Sequence, residues 1–411
     1  MSFFNFPKKF IFKNAKAVTC ATAILLSLIL LTGCAKSDNS QHPNTEKSER
    51  PVFSLSEDES SHSLPSVSAE SAILIEADSG RIIGSKNADE RLSMASTTKI
   101  MTALVAIENC DVTKKITVDR AAVGIEGSSV YLYEGEILTL EDLLYAMLLE
   151  SANDAAAAIA IAIGGSIEDF AEMMNQKAIE LGLENTHFTN PHGLDNEEHY
   201  TIAKDLAIIA AVAMQNETFK TIVSTYKKTI PLHGSEGVRL LINHNKLLKN
   251  YDGAVGIKTG YTKKSGRCLV SAAERDGVKL ISVTLNAPDD WKDHATMLEY
   301  GFSLYESRLL CSAGEIRQTL PIIGGNNEYV TLTNASDVTV TLPKDTENIK
   351  CDLELCQFEY APVTKGEVLG YAIYSLGETT VAKIPLCAEY SVDRIIYKKS
   401  LWEGFTSLFD K

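Results

Sequence analysis

Apolar and polar positions follow the periods of strands and helices from about residue 71 onward. Residues 71–87 contain two apolar runs on either side of an Asp-Ser-Gly sequence at 78–80, which predicts a β-hairpin. Helical periodicity then extends over 96–109. The pattern predicts further helical segments at 139–163, 166–183 and 201–215. In the first of these, Thr139 is the expected N-cap, with Asp142 three residues later.

After about residue 226 the period changes to that of strands. The alternating runs predict strands at 227–234, 253–262 and 267–287. An Asp-Gly pair at 276–277 predicts a second hairpin, and a helix at 289–307 closes this part of the chain. We therefore expect an α/β (α+β) domain, in which strands before and after a helical subdomain form one antiparallel sheet. Beyond about Ser312, short apolar runs between Asn, Gly and Pro predict a smaller all-β domain.

The N-terminus has a different composition. Four lysines precede an apolar run at 17–31, and small residues lead up to Cys34, which is typical of an export signal. The following residues are rich in Ser, Glu and Asp and contain too few large apolar side chains to fold. We predict five segments: an export signal at 1–34, a disordered tether at 35–68, a first domain at 69–309, a β-domain at 310–390 and an amphipathic helix at 391–411.

The C-terminal segment places Ile395, Trp402, Phe405 and Phe409 on one helical face. Basic residues near its start fit a helix that lies on a membrane surface. A helix docked on the β-domain fits the same pattern, and both interpretations stay open at this point.

Composition excludes several classes of function. The formal net charge is −15, which disfavours nucleic-acid binding because such proteins carry a basic face. Six of the eight cysteines lie beyond residue 34, too scattered for their pairing to be predicted, and we expect buried free thiols. The chain contains no His-Glu-x-x-His motif, so a zinc carboxypeptidase is disfavoured and neither a metal nor a cofactor is expected. His192 and His244 are expected to structure their loops.

Ser96 and Lys99 are the first candidates for chemistry. Three residues apart on a helix, they share one face, so the Lys99 amine can reach the Ser96 hydroxyl. Serine is a weak nucleophile until an adjacent base accepts its proton. Lysine can be that base where burial or a nearby cation favours the neutral amine, and the apolar start of this helix predicts burial. Taken alone, however, this pair is common on surface helices.

Two later motifs change that interpretation. A Ser-Ala-Asn sequence at 151–153 falls at an expected break between helical segments, and Lys-Thr-Gly at 258–260 falls on a predicted strand. Ser-x-x-Lys, Ser-x-Asn and Lys-Thr-Gly in this order form the motif set of class A β-lactamases and penicillin-binding proteins. Three motifs in order are far more specific than any one of them.

On these motifs the chain resembles the low-molecular-mass penicillin-binding proteins that are D-alanyl-D-alanine carboxypeptidases, serine peptidase family S11. The resemblance covers about residues 70–305 and includes LSMASTTKIMTAL, GSSVYLYEGEILTLEDLLYAMLLESANDAA, NPHGLD and VGIKTGYTKKSGRCLV. It implies a serine β-lactamase/transpeptidase-like fold for the first domain. It extends more loosely to the β-domain and the terminal helix, and it favours the membrane interpretation of that helix.

The resemblance implies a role for each catalytic side chain. Ser96 would attack the carbonyl between two D-alanines and form an acyl-enzyme, with Lys99 as general base. Ser151 would relay the proton toward the leaving amine, and Asn153 would hold Lys99 and the substrate amide. Ala152 departs from many relatives, which have glycine there, but it leaves both polar side chains in place.

The resemblance also implies a substrate-binding set on the Lys-Thr-Gly strand. Lys258 would supply positive charge and attract the terminal carboxylate of the substrate, and Thr259 would hydrogen-bond it. Gly260 would let the strand pair with an extended peptide. The backbone N–H groups of Ser96 and Tyr261 would form the oxyanion hole.

The implied reaction removes the terminal D-alanine from peptidoglycan stem pentapeptides, with β-lactam antibiotics as acylating inhibitors. A D,D-endopeptidase remains an alternative because it would use the same site. A class A-like β-lactamase is an alternative too, although ELGLEN at 180–185 does not match the Glu-x-x-Leu-Asn sequence of those enzymes. A non-catalytic penicillin-binding module is less favoured, since all the catalytic side chains are present.

The sequence around Cys34 bears on location. Leu-Thr-Gly-Cys at 31–34 resembles the lipobox of bacterial lipoproteins, in which this cysteine carries the lipid. We therefore expect an exported protein on the outer face of the bacterial cytoplasmic membrane, anchored through lipidated Cys34.

Overall fold

The computed structural model describes residues 53–57, 63–232 and 237–396. The strands of the first domain are β1 (Ser56–Glu57), β2 (Ser71–Glu76), β3 (Arg81–Lys86), β4 (Lys115–Thr117), β5 (Ile137–Thr139), β6 (Lys227–Pro231), β7 (Val238–Ile242), β8 (Ala254–Thr262), β9 (Gly266–Arg275) and β10 (Val278–Leu285). Six of them form one sheet in the order β1-β3-β2-β10-β9-β8. Its neighbours pair antiparallel, except for the parallel pair β1 and β3.

Two hairpins in this sheet confirm the turns predicted from the sequence. Gly80 ends the β2–β3 turn with φ +72°, where a Cβ would lie 2.3 Å from the carbonyl oxygen of Ser54. Asp276 and Gly277 join β9 to β10 with φ values of 47° and 80°, the left-handed pair that two-residue hairpin turns require. Because β2 pairs with β10, strands from before and after the helices complete one sheet, as predicted.

Eight α-helices lie in the described part of the chain. They are α1 (Lys99–Asn109), α2 (Leu140–Leu149), α3 (Asn153–Gly164), α4 (Ile167–Glu180), α5 (Ala203–Met214), α6 (Glu217–Ser224), α7 (Leu247–Asn250) and α8 (Asp290–Leu304). The predicted capping box is present at the start of α2, where Thr139 and Asp142 exchange side-chain and backbone hydrogen bonds. The sequence analysis did not predict α6 and α7, which are short.

Most of the alanine-rich helix α3 is buried in the core. Residues 155–158 are four consecutive alanines, and all are buried. Small side chains let neighbouring helices approach closely, so α3 packs against both α2 and α4. The break between α2 and α3, where Ser151 lies, is therefore held by packing on both sides.

A second domain of strands follows α8, as the sequence predicted. Its strands are β11 (Tyr305–Cys311), β12 (Arg317–Ile323), β13 (Tyr329–Thr333), β14 (Val338–Pro343), β15 (Lys350–Leu355), β16 (Glu359–Tyr360), β17 (Val368–Leu376) and β18 (Thr379–Ala388). Six of them form a sheet in the order β15-β17-β18-β13-β12-β16, and β11 pairs with β14. This domain has a small core of its own, with Val330, Leu332 and Leu386 fully buried.

Several predictions fall outside the described residues. The export signal, Cys34, most of the tether and residues 397–411 belong to this group. The described part of the expected tether is not disordered, because Ser56–Glu57 pairs with β3 and Ser68 hydrogen-bonds to Asp293 of the first domain. Residues 391–396 are not helical either, since Val392 pairs with Val363 and Arg394 with Gly325 of the β-domain. In the described part, no single helix is both long and apolar enough to cross a membrane; the bent pair α5 and α6 passes by length and composition alone.

The cysteines correct one expectation. The six beyond residue 34 form no disulfide in the described ranges, but they are not uniformly buried. Cys268 and Cys311 are buried, whereas Cys351 and Cys356 are exposed. Both exposed cysteines lie on or just after β15, an edge strand with little covering it, which the spacing of apolar residues did not reveal.

Candidate active site

A short 3₁₀ turn at 95–98 carries Ser96 and leads directly into α1. Thr97 Oγ1 donates to the Met94 carbonyl at 2.6 Å, and Thr98 Oγ1 donates to the Ala95 carbonyl at 2.7 Å. Both hydrogen bonds lie within residues 94–98 and stabilise the turn. Ala95 adopts a left-handed φ of 47°. Ser96 thus precedes the α-helix instead of lying within it, and its side chain is half-buried beside the start of α1.

Lys99 is fully buried and makes three contacts through Nζ. Nζ lies 3.0 Å from Ser96 Oγ, 2.7 Å from Asn153 Oδ1 and 2.5 Å from the carbonyl oxygen of His192. The two carbonyl-type oxygens can only accept hydrogen bonds, and a neutral amine has two hydrogens and one lone pair. When Lys99 is neutral, its lone pair is therefore directed at the Ser96 hydroxyl.

The surroundings of Lys99 favour that neutral form. Burial lowers its pKa well below the usual range, and the charge of Lys258 lowers it further, while Asp154 opposes the shift. Lys258 is itself buried, and burial lowers its pKa to about 7. The two lysines have different surroundings. Lys99 has the Asp154 carboxylate nearby and is bound to the Asn153 and His192 oxygens, whereas Lys258 donates to the Thr259 carbonyl.

The break between α2 and α3 presents Ser151 and Asn153. Ser151 has φ 60°, a strained value for serine, and its Oγ makes no hydrogen bond to any described residue. The Glu150 carboxylate joins this break to the end of β7. Its Oε1 accepts from the backbone N–H of Ile242 at 2.6 Å, and its Oε2 lies 3.1 Å from His244 Nε2. His244 thus structures its loop, as the sequence predicted.

Asn153 connects three parts of the site. Its Oδ1 accepts from Lys99, while its Nδ2 donates to the carbonyl of Glu126 at 2.6 Å. A Cβ on Gly127 would lie 2.7 Å from Nδ2, so glycine is needed for this approach. Because both Oδ1 and Nδ2 are hydrogen-bonded, the Asn153 amide has one orientation, and its Oδ1 stays directed at Lys99.

The Lys-Thr-Gly sequence lies on β8, the edge strand beside the Ser96 turn. A Cβ on Gly260 would lie 3.1 Å from both the Met94 carbonyl and the Ser96 nitrogen. Any larger residue would push the strand away from the turn. Lys258 Nζ donates to the carbonyl of Thr259 at 3.0 Å, and Tyr261 is exposed. All the residues predicted for the site except Cys34 therefore lie on three adjoining elements.

The carbonyl of His192 is a contact that the sequence analysis missed. Asn190 Oδ1 accepts from the backbone N–H of Gly193 at 2.7 Å and of His192 at 3.3 Å, which fixes the loop. Gly193 has φ 86°, and a Cβ there would lie 1.9 Å from the Ala95 carbonyl. Burial and the Lys99 charge lower the pKa of His192 to about 3, so its ring is neutral. The NPHGLD sequence indicated that this loop belongs near the site, but it could not predict the contact, because a backbone carbonyl is present in every residue.

Within residues 53–57, 63–232 and 237–396, no group of three or more His, Cys, Asp and Glu side chains could hold a metal ion. The arrangement supplies a hydroxyl, a buried amine with its lone pair directed at that hydroxyl, and the backbone N–H of Ser96 next to β8. Such a site is suited to acyl transfer.

Known proteins resemble this chain over both of its domains. Residues 58–289 match the family model described as D-alanyl-D-alanine carboxypeptidase, and residues 305–394 match the C-terminal domain of penicillin-binding protein 5. The chain is 34% identical to the D-alanyl-D-alanine carboxypeptidase DacF of Bacillus subtilis strain 168, over 78% of this chain and 85% of DacF. Its fold is similar to penicillin-binding protein 5 of Haemophilus influenzae, with a TM-score of 0.64 and 30% identity over 81% of this chain and all of the other. It is also similar to PBP3 of Streptococcus pneumoniae, with a TM-score of 0.69 and 25% identity over 80% and 100% of the two chains.

Proposed function

The chain belongs to the D-alanyl-D-alanine carboxypeptidase family, serine peptidase family S11, and we propose that Ser96 is its nucleophile and Lys99 its general base. It is a serine-type carboxypeptidase that removes the terminal D-alanine from peptidoglycan pentapeptides, and it binds penicillin. The observation that carries the assignment is the 3.0 Å contact between Ser96 Oγ and a buried Lys99 Nζ whose other two neighbours are acceptors.

Acylation begins with transfer of the Ser96 proton to Lys99. Oγ attacks the carbonyl carbon of the penultimate D-alanine, and the electron pair of the carbonyl moves to its oxygen. The N–H groups of Ser96 and Tyr261 stabilise that oxyanion. The close approach of Gly260 to the Ser96 nitrogen supports this pairing of donors, because it brings β8 against the nucleophile turn.

Collapse of the tetrahedral intermediate breaks the C–N bond and releases D-alanine. The leaving nitrogen takes the proton that Lys99 received, relayed through Ser151. The free Oγ of Ser151 supports this role, since it has no competing partner among the described residues. Asn153 holds Lys99 throughout. Water then hydrolyses the Ser96 ester, which restores the hydroxyl and completes a reaction that needs no metal or cofactor.

Lys258 and Thr259 bind the terminal carboxylate of the substrate in this proposal. Since burial lowers the pKa of Lys258 to about 7, its positive charge is present below that pH and lost above it. Lys99 has the opposite requirement, because it acts as a base only above its own pKa, which burial and the Lys258 charge lower well below the usual range.

These two requirements predict a bell-shaped pH dependence of kcat/KM. The acidic limb follows protonation of Lys99, and the alkaline limb follows loss of the Lys258 charge near pH 7 in the free enzyme. Initial rates of D-alanine release at low substrate concentration measure this profile. A kcat/KM that continues to rise well into the alkaline range would contradict the role of Lys258.

Product analysis tests the function itself. We expect the purified enzyme to release D-alanine from an N-acylated pentapeptide over many turnovers and to leave cross-linked muropeptide dimers intact. Faster cleavage of the dimers would make it a D,D-endopeptidase. Rapid hydrolysis of a cephalosporin without release of D-alanine would make it a β-lactamase, and neither activity would leave a non-catalytic penicillin-binding module.

We propose that the enzyme acts outside the cytoplasm, in the cell wall, and is held at the membrane by lipid on Cys34. The lipobox-like sequence at 31–34 supports this anchor, and the amphipathic pattern that continues beyond residue 396 supports a second contact with the membrane. We propose the same order of five segments, with the first domain including Ser56–Glu57 and the β-domain extending to residue 396.

Labelling of cells with an alkyne-tagged palmitate tests the anchor. We expect the wild-type protein to incorporate the label and a Cys34→Ser variant to lose it, because the acyl chains are attached through this cysteine. An unlabelled wild-type protein would overturn the lipid anchor.

A further inference from the structure

A buried histidine lies behind the turn that carries Ser96. His199 belongs to the loop between α4 and α5 and is only 3% exposed. Its Nε2 lies 2.8 Å from Thr98 Oγ1, and its Nδ1 accepts from the backbone N–H of Thr189 at 3.0 Å. The ring also makes a T-shaped contact with Phe188, with the two ring centres 5.8 Å apart. These contacts fix the position of a polar ring to which the reaction proposed above gives no part.

The contacts of His199 leave one arrangement of its hydrogen atoms. A backbone N–H can only donate, so the Nδ1 that accepts from Thr189 carries no hydrogen. Burial lowers the pKa of His199 to about 4, so the ring is neutral near pH 7 and its hydrogen is on Nε2. Nε2–H therefore donates to Thr98 Oγ1. The single hydroxyl hydrogen of Thr98 is left for the Ala95 carbonyl, to which it donates at 2.7 Å.

The Ala95 carbonyl belongs to the same peptide group as the Ser96 N–H. This peptide is trans, so its C=O and N–H point in opposite directions. The carbonyl oxygen faces Thr98 and the loop at Gly193. The nitrogen of Ser96 lies on the other side, 3.1 Å from the position that a Cβ on Gly260 would take. The Ser96 N–H therefore points toward β8 and the proposed oxyanion hole, and it has no acceptor among the described residues.

These groups form one chain of hydrogen bonds, which runs from the His199 Nε2–H through the Thr98 hydroxyl and the Ala95 carbonyl to the Ser96 N–H. Hydrogen bonds in a chain polarise one another, by roughly 10–30% per bond. A carbonyl that accepts a hydrogen bond draws electron density from its own amide nitrogen, which makes the N–H a stronger donor. Negative charge on the substrate oxygen strengthens each bond in turn. The chain therefore stabilises the transition state more than the bound substrate.

We propose that His199 and Thr98 are positioning residues for the oxyanion hole, which orient and polarise the Ala95–Ser96 peptide group through this chain. Neither side chain touches the substrate, and every hydrogen stays on its donor atom throughout the reaction. The inference rests on the proposed function, because it acts on the N–H that this function assigns to the oxyanion.

Substitutions of Thr98 test the chain with two readouts. Thr98→Val keeps the shape of the side chain but has no hydroxyl. We expect it to lower kcat for D-alanine release by about 30-fold with little change in KM, less than the roughly 100- to 1,000-fold cost of losing an oxyanion-hole donor outright. In the benzylpenicillin acyl-enzyme, infrared difference spectroscopy should show a higher stretching frequency for the ester carbonyl, because its hydrogen bond is weaker. Thr98→Ser keeps the hydroxyl and should return both values toward those of the wild type.

His199→Phe keeps a ring but has no donor. It should lower kcat by about 5-fold, the effect of one neutral hydrogen bond, since Thr98 keeps its bond to Ala95. The double variant with Thr98→Val and His199→Phe should be no slower than Thr98→Val alone, because that substitution already breaks the chain. The matched control is His294→Phe. His294 is also fully buried, and its Nε2 lies 2.9 Å from a threonine hydroxyl, that of Thr284 on β10. It should keep the kcat and the carbonyl frequency of the wild type.

A Thr98→Val enzyme with a lower melting temperature but an unchanged kcat and carbonyl frequency would overturn the proposal. A loss that Thr98→Ser does not restore would overturn it too. Wild-type values in His199→Phe, or an equal loss in His294→Phe, would contradict the role of His199, and Thr98→Val decides the case if His199→Phe does not fold. A wild-type protein that forms no acyl-enzyme on Ser96 would instead refute the proposed function, and this inference with it.

Discussion

Replacement of Ser96 by alanine is expected to lower kcat for D-alanine release by about a million-fold, as loss of the nucleophile does in other serine peptidases. The only side-chain hydrogen bond of Ser96 is the contact with Lys99 among the described residues. The substitution therefore removes the attacking oxygen and leaves the threonine bonds of the turn in place. Release of D-alanine, followed by a coupled D-amino-acid oxidase assay, measures the loss.

Ser93→Ala is the matched control, because Ser93 lies on the same segment and is also half-buried. It should retain the activity of the wild type, and both variants should melt as the wild type does. Ser96→Ala protein that is folded and still releases D-alanine at a substantial rate would assign the nucleophile to another side chain, with Ser151 the first candidate.

Replacement of Lys99 is expected to lower the acylation rate by about 10⁴-fold, the upper range for loss of a general base. Lys99→Met keeps the length of the side chain and its burial but has no lone pair on nitrogen for the Ser96 proton. Lys99→Arg keeps a positive charge and should be equally inactive, because a guanidinium does not lose its proton in proteins. The rate of acylation by benzylpenicillin, measured on quenched samples, reports this step directly.

The arginine variant separates two roles for Lys99. If Lys99 acted through its charge, Lys99→Arg would keep a large share of the acylation rate. That outcome would contradict the role of Lys99 as a neutral base, which the lowered pKa of this buried lysine supports.

The fold was predictable where it depends on local patterns. The hairpins at 78–80 and 276–277, the cap at Thr139 and the break at Ser151 all follow from residue types with fixed conformational preferences. Helices α6 and α7 were missed because each is too short to show a helical period. The exposure of Cys351 was missed because it depends on the edge position of β15, which is set by pairing between distant strands.

The candidate site was predictable as a set of side chains but not as a geometry. The spacing of Ser96 and Lys99 places the two in contact whether the serine lies in an α-helix or in the 3₁₀ turn that precedes it. The His192 carbonyl could not be predicted, since its direction depends on the left-handed conformation of Gly193 and on contact with a distant turn.

The central claim is that Ser96 is acylated with Lys99 as its base, and mass spectrometry after brief exposure to benzylpenicillin tests it most directly. The account predicts a penicilloyl adduct on the wild-type protein, mapped by proteolysis to the peptide that contains Ser96. It predicts no adduct on Ser96→Ala and a very slow one on Lys99→Met. An adduct on Ser96→Ala, or a wild-type adduct that maps to another residue, would contradict it.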